Sequence, residues 1–301
     1  MKTTKKILSL ILIAAATTAS AQIKKGYTSL FDGKTLNGWK RLAGSADYQV
    51  VDGTIQGTTV MNSGNTFLVT EKEYGDFVLE LDVKMESNVS NSGVQTRSHF
   101  DPAGNDGKGR VYGRQCEFDP STRDWTGGIY DEGRRDWLYP LDLNPDAKGK
   151  FKIGEFNHIK IECIGNETKT WINGTPAGYV VDSVDASGFI GLQVHGINSE
   201  AQANKKVWFK NIQIKTTNLK PEPFGKDVYV VNLVTNNLSS YEKQNGWKLL
   251  FDGKSSAGWH SAKGGAFPAK GWSITDGLIS VTPSDGGEST NGGDIVSDNQ
   301  Y

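Results

Sequence analysis

Apolar and polar residues alternate one by one along much of this chain. In DFVLELDVKM, Phe77, Leu79, Leu81, Val83 and Met85 fall on one side, and Glu80, Asp82 and Lys84 on the other. A period of two belongs to a strand with one face in a core and one face outside it. HIKIECIG repeats the pattern, with Ile159, Ile161 and Cys163 inward. KTWINGTPAG holds two short runs around Asn173-Gly174, a dipeptide suited to the positive φ angles of a two-residue hairpin. GFIGLQVHG and VWFKNIQIK add two more strands, and nothing between Gly26 and Lys215 keeps a helical period over three turns. Many short strands joined by turns, in a chain with 36 glycines, predict an all-β fold. About 190 residues exceed the needs of an immunoglobulin-type sandwich. The expected architecture is a jelly-roll sandwich of two curved antiparallel sheets.

The phrase LFDGKTLNGWK, starting at Leu30, returns as LFDGKSSAGWH at Leu250, with seven of eleven positions identical. YQVVDGTIQG (48–57) matches WSITDGLISV (272–281), and TFLVTEKEY (66–74) resembles DIVSDNQY (294–301). The repeat is one of tandem domains, not of a solenoid. The first copy is expected at 26–217, and the polar, proline-containing stretch 218–245 reads as a linker that docks in part on it. Residues 246–301 read as the start of a second, truncated copy, too short to bury its own strands. Within the phrase, Asp32-Gly33 and Asn37-Gly38 make turns, and Trp39 is expected to pack under the sheet edge rather than bind a ligand.

At the N-terminus, Lys2, Lys5 and Lys6 flank the apolar run ILSLILIAAA, and Ala19 and Ala21 offer a cleavage site before Gln22. Residues 1–21 read as a secretory signal peptide, with an apolar run too short to span a bilayer. The expected product is periplasmic or secreted, with no membrane insertion after cleavage. A formal net charge of −1 gives no electrostatic footprint for nucleic acid. Cys116 and Cys163 form no Cys-x-x-Cys pair. An exported chain permits a disulfide between them, and two buried free thiols are the favoured reading. Oligomeric state is not legible.

Three strands carry chemistry on one face. Gln95, Arg97 and His99 share a face of SGVQTRSHF; Gln115, Glu117 and Asp119 share a face of YGRQCEFDP; Gln193 and His195 share a face of GLQVHG. A solvated face usually carries Lys, Glu and Thr, whereas glutamines with Arg, His and a carboxylate suit a lined groove. Between these strands lies STRDWTGGIYDEGRRDWLYP, a long loop rich in aromatic and charged residues of the kind kept for binding. It holds Trp125, Tyr130, Glu132 and Arg134. Retaining glycosidases of jelly-roll type place Glu-x-Asp-x-x-Glu on one strand. Here Glu117 and Asp119 are present, but Thr122 stands where the acid belongs and Pro120 ends the strand, so that chemistry is not expected.

LFDGKTLNGW, DFVLELDV, NSGVQTRS, GRQCEFDP, TGGIYDEGRR, WINGTPAG and IGLQVHG, in this order, together resemble the 3-keto-disaccharide hydrolase family. The resemblance spans Gly26 to Lys215 and resumes at Gly246. It implies a concanavalin A-like jelly roll and an exported bacterial protein acting on sugars oxidised at C3. A ketone there acidifies the C2 hydrogen, so the glycosidic oxygen at C1 can leave by β-elimination, and water then adds. Such a reaction needs a base, an enolate stabiliser and an acid. On this reading Glu117 or His195 is the base, or Glu117 holds one divalent cation that polarises the ketone. Gln95 and Arg97 bind the enolate, Glu132 or Tyr130 protonates the leaving group, and Gln115, Gln193, Trp125 and Arg134 hold the sugar. The competing readings are a non-catalytic, lectin-like carbohydrate-binding module and a structural surface domain with no pocket.

Overall fold

The computed structural model describes residues 23–282 and 292–301. The signal peptide read at 1–21 lies outside the described residues. In chain order the strands begin β1 (Thr28–Ser29), β2 (Trp39–Leu42), β3 (Asp47–Val51), β4 (Thr54–Thr58) and β5 (Thr66–Thr70). They continue β6 (Phe77–Met85), β7 (Ser92–Asp101), β8 (Arg110–Phe118), β9 (Ile129–Glu132) and β10 (Asp136–Tyr139). Next come β11 (Asn157–Ile164), β12 (Glu167–Ile172), β13 (Thr175–Val181), β14 (Phe189–Val194), β15 (Lys206–Lys215) and β16 (Val231–Asn232).

One sheet runs β16-β13-β12-β11-β6-β15-β4-β3 with β1 added on β15, and the other runs β10-β9-β8-β7-β14-β5-β2. Apart from the parallel pair β13–β16, the ladders are antiparallel, and the two sheets stack as a concanavalin A-like jelly-roll sandwich. The alternation in β6 sets the core: Phe77, Leu79, Leu81, Val83 and Met85 are fully buried, as are Ile159, Ile161 and Cys163 on β11. Val94, Cys116, Phe118, Leu192 and Val194 meet them from the second sheet. The β12–β13 hairpin turns on Asn173 (φ 50°) and Gly174 (φ 81°), the positive angles a tight hairpin of this twist requires. Both cysteines are buried free thiols. No helix among the described residues is long and apolar enough to cross a membrane.

The outer face of β6 is not simply solvated. Glu80 is 4% exposed, paired with Lys24 and accepting the Tyr27 hydroxyl proton at 2.8 Å. The stretch 218–245 packs on the same sheet further along: Phe224 joins Trp171, Tyr179 and Val181, with Val228, Val230, Val234 and Tyr241 against them.

The repeated phrase builds the same loop twice. The Trp39 indole N–H donates to the Leu30 carbonyl at 2.7 Å, and Asp32 accepts from the backbone of Lys34 and Thr35. In the second copy Trp259 donates to Leu250 at 2.7 Å, and Asp252 accepts from Lys254 and Ser255. The surroundings differ. Trp39 is 7% exposed within the core. The second copy adds two antiparallel pairs, β17 (Trp259–Ser261) with β20 (Ile295–Ser297) and the hairpin β18 (Trp272–Thr275) with β19 (Leu278–Val281), and none of its described residues is buried.

Candidate functional site

Because Val94, Cys116, Phe118, Leu192 and Val194 face the core, their neighbours on β7, β8 and β14 face away from it. There Gln95, Gln115 and Gln193 are at most 1% exposed, and Glu117 is 4% exposed. Register aligns them: Gln95 is opposite Gln115, Gly93 opposite Glu117, and Gln115 opposite Tyr130. Leu192 is opposite Val94, which sets Gln193 beside Gly93. Gly93 therefore lies between Gln193 and Glu117, and the Gln115 side chain occupies the space above it. A Cβ at Gly93 would come within 2.5 Å of Gln115 Cδ.

The amides form a chain with a direction. The Ser98 hydroxyl donates to Gln95 Oε1 at 2.6 Å, and Gln95 Nε2 donates to Gln115 Oε1 at 2.9 Å. Gln115 Nε2 then donates to Glu117 Oε2 at 2.8 Å and, more weakly, to Gln193 Oε1 at 3.4 Å. Each link fixes the orientation of the next amide, since a carboxylate only accepts. At the end of the chain Gln193 Nε2 is a buried donor with no partner among the described residues. On the other side of Glu117, Asn91 Nδ2 donates to Oε1 at 2.5 Å, and Asn91 Oδ1 is a buried acceptor with no partner among the described residues.

Burial pushes the Glu117 carboxyl up to about 7, with the negative charges of Asp119 and Glu132 adding to it and the two amide donors opposing. Burial also raises Glu132, which accepts from Asn65 Nδ2 at 3.0 Å. Asn65 Oδ1 in turn accepts the Gly196 N–H at 2.7 Å. His195 sits 2.6 Å from the Gly196 carbonyl through Nδ1, so that nitrogen carries the proton and Nε2 keeps its lone pair. Burial lowers its pKa, so the imidazole is held neutral. Asp119, 3% exposed, accepts from Arg123 Nε at 2.6 Å. The Arg123 guanidinium lies 4.4 Å from the Trp125 ring centre and 5.0 Å from that of Trp137. Trp137 packs edge-on against Trp125 and Tyr130, extending an aromatic wall from the polar row.

The residues present do not make a cation cage. Both Glu117 oxygens accept amide N–H groups, and among the described residues no three His, Cys, Asp or Glu side chains converge as metal ligands.

The family model of the 3-keto-alpha-glucoside-1,2-lyase-like domain matches residues 26–215 and 246–301. The chain belongs to this family. Membership carries a carbohydrate-active role. Among solved structures it is similar to a candidate glycosyl hydrolase from Parabacteroides distasonis, at 22% identity over 64% of this chain and 94% of that one, with a TM-score of 0.46. It is also similar to the carbohydrate binding module CBM66 from Bacillus subtilis, at 18% identity over 59% and 95% of the two chains, TM-score 0.42. A Bacillus subtilis protein of unknown function with a galectin-like fold matches at 12% identity over 63% and 94%, TM-score 0.46. No curated protein matches.

In this lyase-like domain, Gln95, Gln115, Glu117 and Gln193 come together as the strand pattern suggested, with His195 just past the end of β14. Tyr130 and Glu132 join them for another reason: the stretch read as a long loop forms β9 and β10, and β9 pairs with β8, with Trp125 on the adjoining wall. Arg97 does not join them. Strand β7 bulges between Thr96 and His99, and Arg97 takes φ 48°, which resets the alternation. Its side chain is buried and bonds the carbonyls of Gly75 and Gly165 at 2.8 and 2.7 Å and Asp76 at 2.8 Å. Arg134 is also drawn elsewhere, to Asp131 and Asp185, because Asp131 points to the opposite face of β9 from Tyr130 and Glu132. Three residues went unread in the sequence: Asn91, Asn65 and Arg123. Asn91 was within reach of the pattern, since it shares a period-two face with Gly93 and Gln95. Asn65 and Arg123 lie outside strands, where alternation has no meaning.

Proposed function

We propose that this protein cleaves the glycosidic bond of 3-keto sugars by β-elimination followed by hydration. Ionised Glu117 takes the proton from C2. The C–H electrons form a C2–C3 double bond while the ketone oxygen becomes an enolate, accepting the spare N–H of Gln193. When the enolate collapses, the C3 carbonyl reforms, the double bond shifts to C1–C2, the C1–O bond breaks and the departing oxygen takes a proton from Glu132. Water adds at C1 and a proton returns to C2, so the net result is hydrolysis. Neutral His195 offers Nε2 as a proton acceptor for that water, and the Trp125–Trp137 wall holds the leaving group.

The observation that carries this reading is the pairing of a buried carboxyl that ionises near neutral pH with an unpartnered buried donor beside it. A base works best with a pKa near the working pH, and an enolate needs donors already aimed at the developing charge. The test is turnover by the full chain of a 3-keto-glucoside and its unoxidised parent, beside Glu117→Gln and with or without EDTA. Cleavage of the keto sugar alone, lost in the variant, is the expected result. Binding of both sugars with cleavage of neither would favour a lectin-like module, and loss with EDTA would show that a divalent cation takes part.

A further inference from the structure

We propose that Asn91 reads a free hydroxyl on the same carbon that Glu117 deprotonates, making the substrates 2-hydroxy-3-keto sugars rather than 2-deoxy ones. The inference rests on the elimination reading for its chemistry. Its structural basis is the amide of Asn91, whose two ends are assigned by what they face. The carboxylate of Glu117 accepts only, so Nδ2 must turn toward it, as it does. Oδ1 is then left on the side away from Glu117, buried and without a partner among the described residues. An unmatched buried acceptor is costly in the free protein, and a ligand that brings a donor removes the cost.

The ligand pattern this creates is specific. Glu117 asks for a C–H. Gln193 Nε2, at the end of the amide chain from Ser98, asks for an acceptor. Asn91 Oδ1 asks for a donor next to the C–H, because the same amide grips Glu117. In a 3-keto sugar the carbon C2 carries the acidic hydrogen, lies beside the carbonyl, and bears a hydroxyl. One carbon and its substituents therefore meet all three requirements, and a 2-deoxy sugar leaves Asn91 unmatched.

The test is a cycle of two substrates and two proteins. The full chain and Asn91→Ala are assayed on a 3-keto-glucoside and on its 2-deoxy counterpart. Loss of the Glu117 contact alone lowers kcat/KM equally on both. A direct contact with the hydroxyl lowers the ratio between them, by about tenfold, the value of a hydrogen bond to a buried acceptor. An unchanged ratio overturns the proposal. Asn91→Ser serves in the same cycle if the alanine variant does not fold. If neither keto sugar is turned over, the elimination reading fails by itself, and Asn91 is judged by binding. Tryptophan fluorescence titration with the unoxidised glucoside and its 2-deoxy form then decides. A preference for the hydroxyl that vanishes in the variant supports the contact, and equal affinities or no binding overturn it.

Discussion

Replacing Glu117 by glutamine is expected to stabilise the protein while abolishing turnover. The carboxyl is 4% exposed and is raised from 4.5 to about 7, chiefly by burial. The folded chain thus holds this proton more tightly than the unfolded chain does. Between pH 4.5 and 7 the folded state binds more protons, so stability falls as pH rises through that window. At pH 8 the ionised group costs about 3 kcal/mol relative to pH 4, from 1.36 kcal/mol for each tenfold change in proton affinity. Glutamine never ionises, so it removes this cost. Its amide oxygen keeps the Gln115 donor, and Asn91 can rotate to offer Oδ1 to the new amide nitrogen. The expected gain at pH 8 is about 2–3 kcal/mol, or roughly 5–10 °C in Tm for a unit of this size. At pH 5 the gain should fall to about a quarter of that, below about 1 kcal/mol. Thermal unfolding of both chains from pH 5 to 8 isolates the effect, because every other titrating group is shared. A difference that stays flat across this range, or a variant less stable at pH 8, would refute the reasoning by showing that the Glu117 carboxylate is well solvated or well paired.

Gly93→Ala is expected to separate geometry from stability. The three atoms nearest the new Cβ all belong to the Gln115 side chain, with Cδ at 2.5 Å and Cγ at 2.6 Å, so a shift of that one side chain relieves them and Tm should change by less than about 3 °C, equivalent to about 1 kcal/mol. Gln115 must still move off Glu117 and Gln193, and kcat on a 3-keto-glucoside should fall at least about tenfold, a cost of about 1.4 kcal/mol. Arg97→Ala should do the reverse, costing about 3–5 kcal/mol in denaturant unfolding by stripping a buried cation from Asp76 and two carbonyls; unchanged stability with lost substrate affinity would return Arg97 to the site. For the wild type, kcat/KM should rise through a limb near pH 7 as Glu117 becomes the ionised base. Gln115→Leu removes the N–H that holds the carboxylate at 2.8 Å and should move that limb upward, so a downward move in the pH profile would identify a different base.

What the sequence reveals here follows where alternation survives. The inward sides of β6 and β11 and the outward glutamines of β7, β8 and β14 lie on regular stretches of their ladders, clear of the bulges, so counting by two places them correctly. Arg97 was misplaced because the bulge at Thr96–His99 consumes a residue, and nothing in SGVQTRSHF announces it. Arg134 was misplaced for a longer-range reason: its partner Asp185 is 51 residues away, on the segment after β13. The burial of Glu80 was invisible for the same cause, as its cover, Lys24 and Tyr27, comes from the far N-terminal side of the sheet.

The two misplaced arginines bear on the chemistry by where they are not. Arg114, Arg134 and Arg135 are gathered by Asp131, Asp182 and Asp185 into one ionic clip, and Arg97 is spent on Asp76. Arg123, on the loop after β8, has its Nε bound by Asp119. Among the described residues, Glu117 is therefore held by the neutral amides of Asn91 and Gln115, with the basic side chains bound elsewhere. A guanidinium within about 4–6 Å would pull a carboxyl down by one to three pH units, which would turn Glu117 into a weak base, poorly matched to a C–H acid. Amide N–H groups orient the carboxylate with less pull and leave burial dominant, so the proton affinity stays near 7. The same clip is fixed through Asp131, fully buried between Tyr130 and Glu132 in sequence. Keeping the positive charge behind β9 thus does two things for the proposed reaction: it braces the strand that carries the acid, and it leaves the base strong.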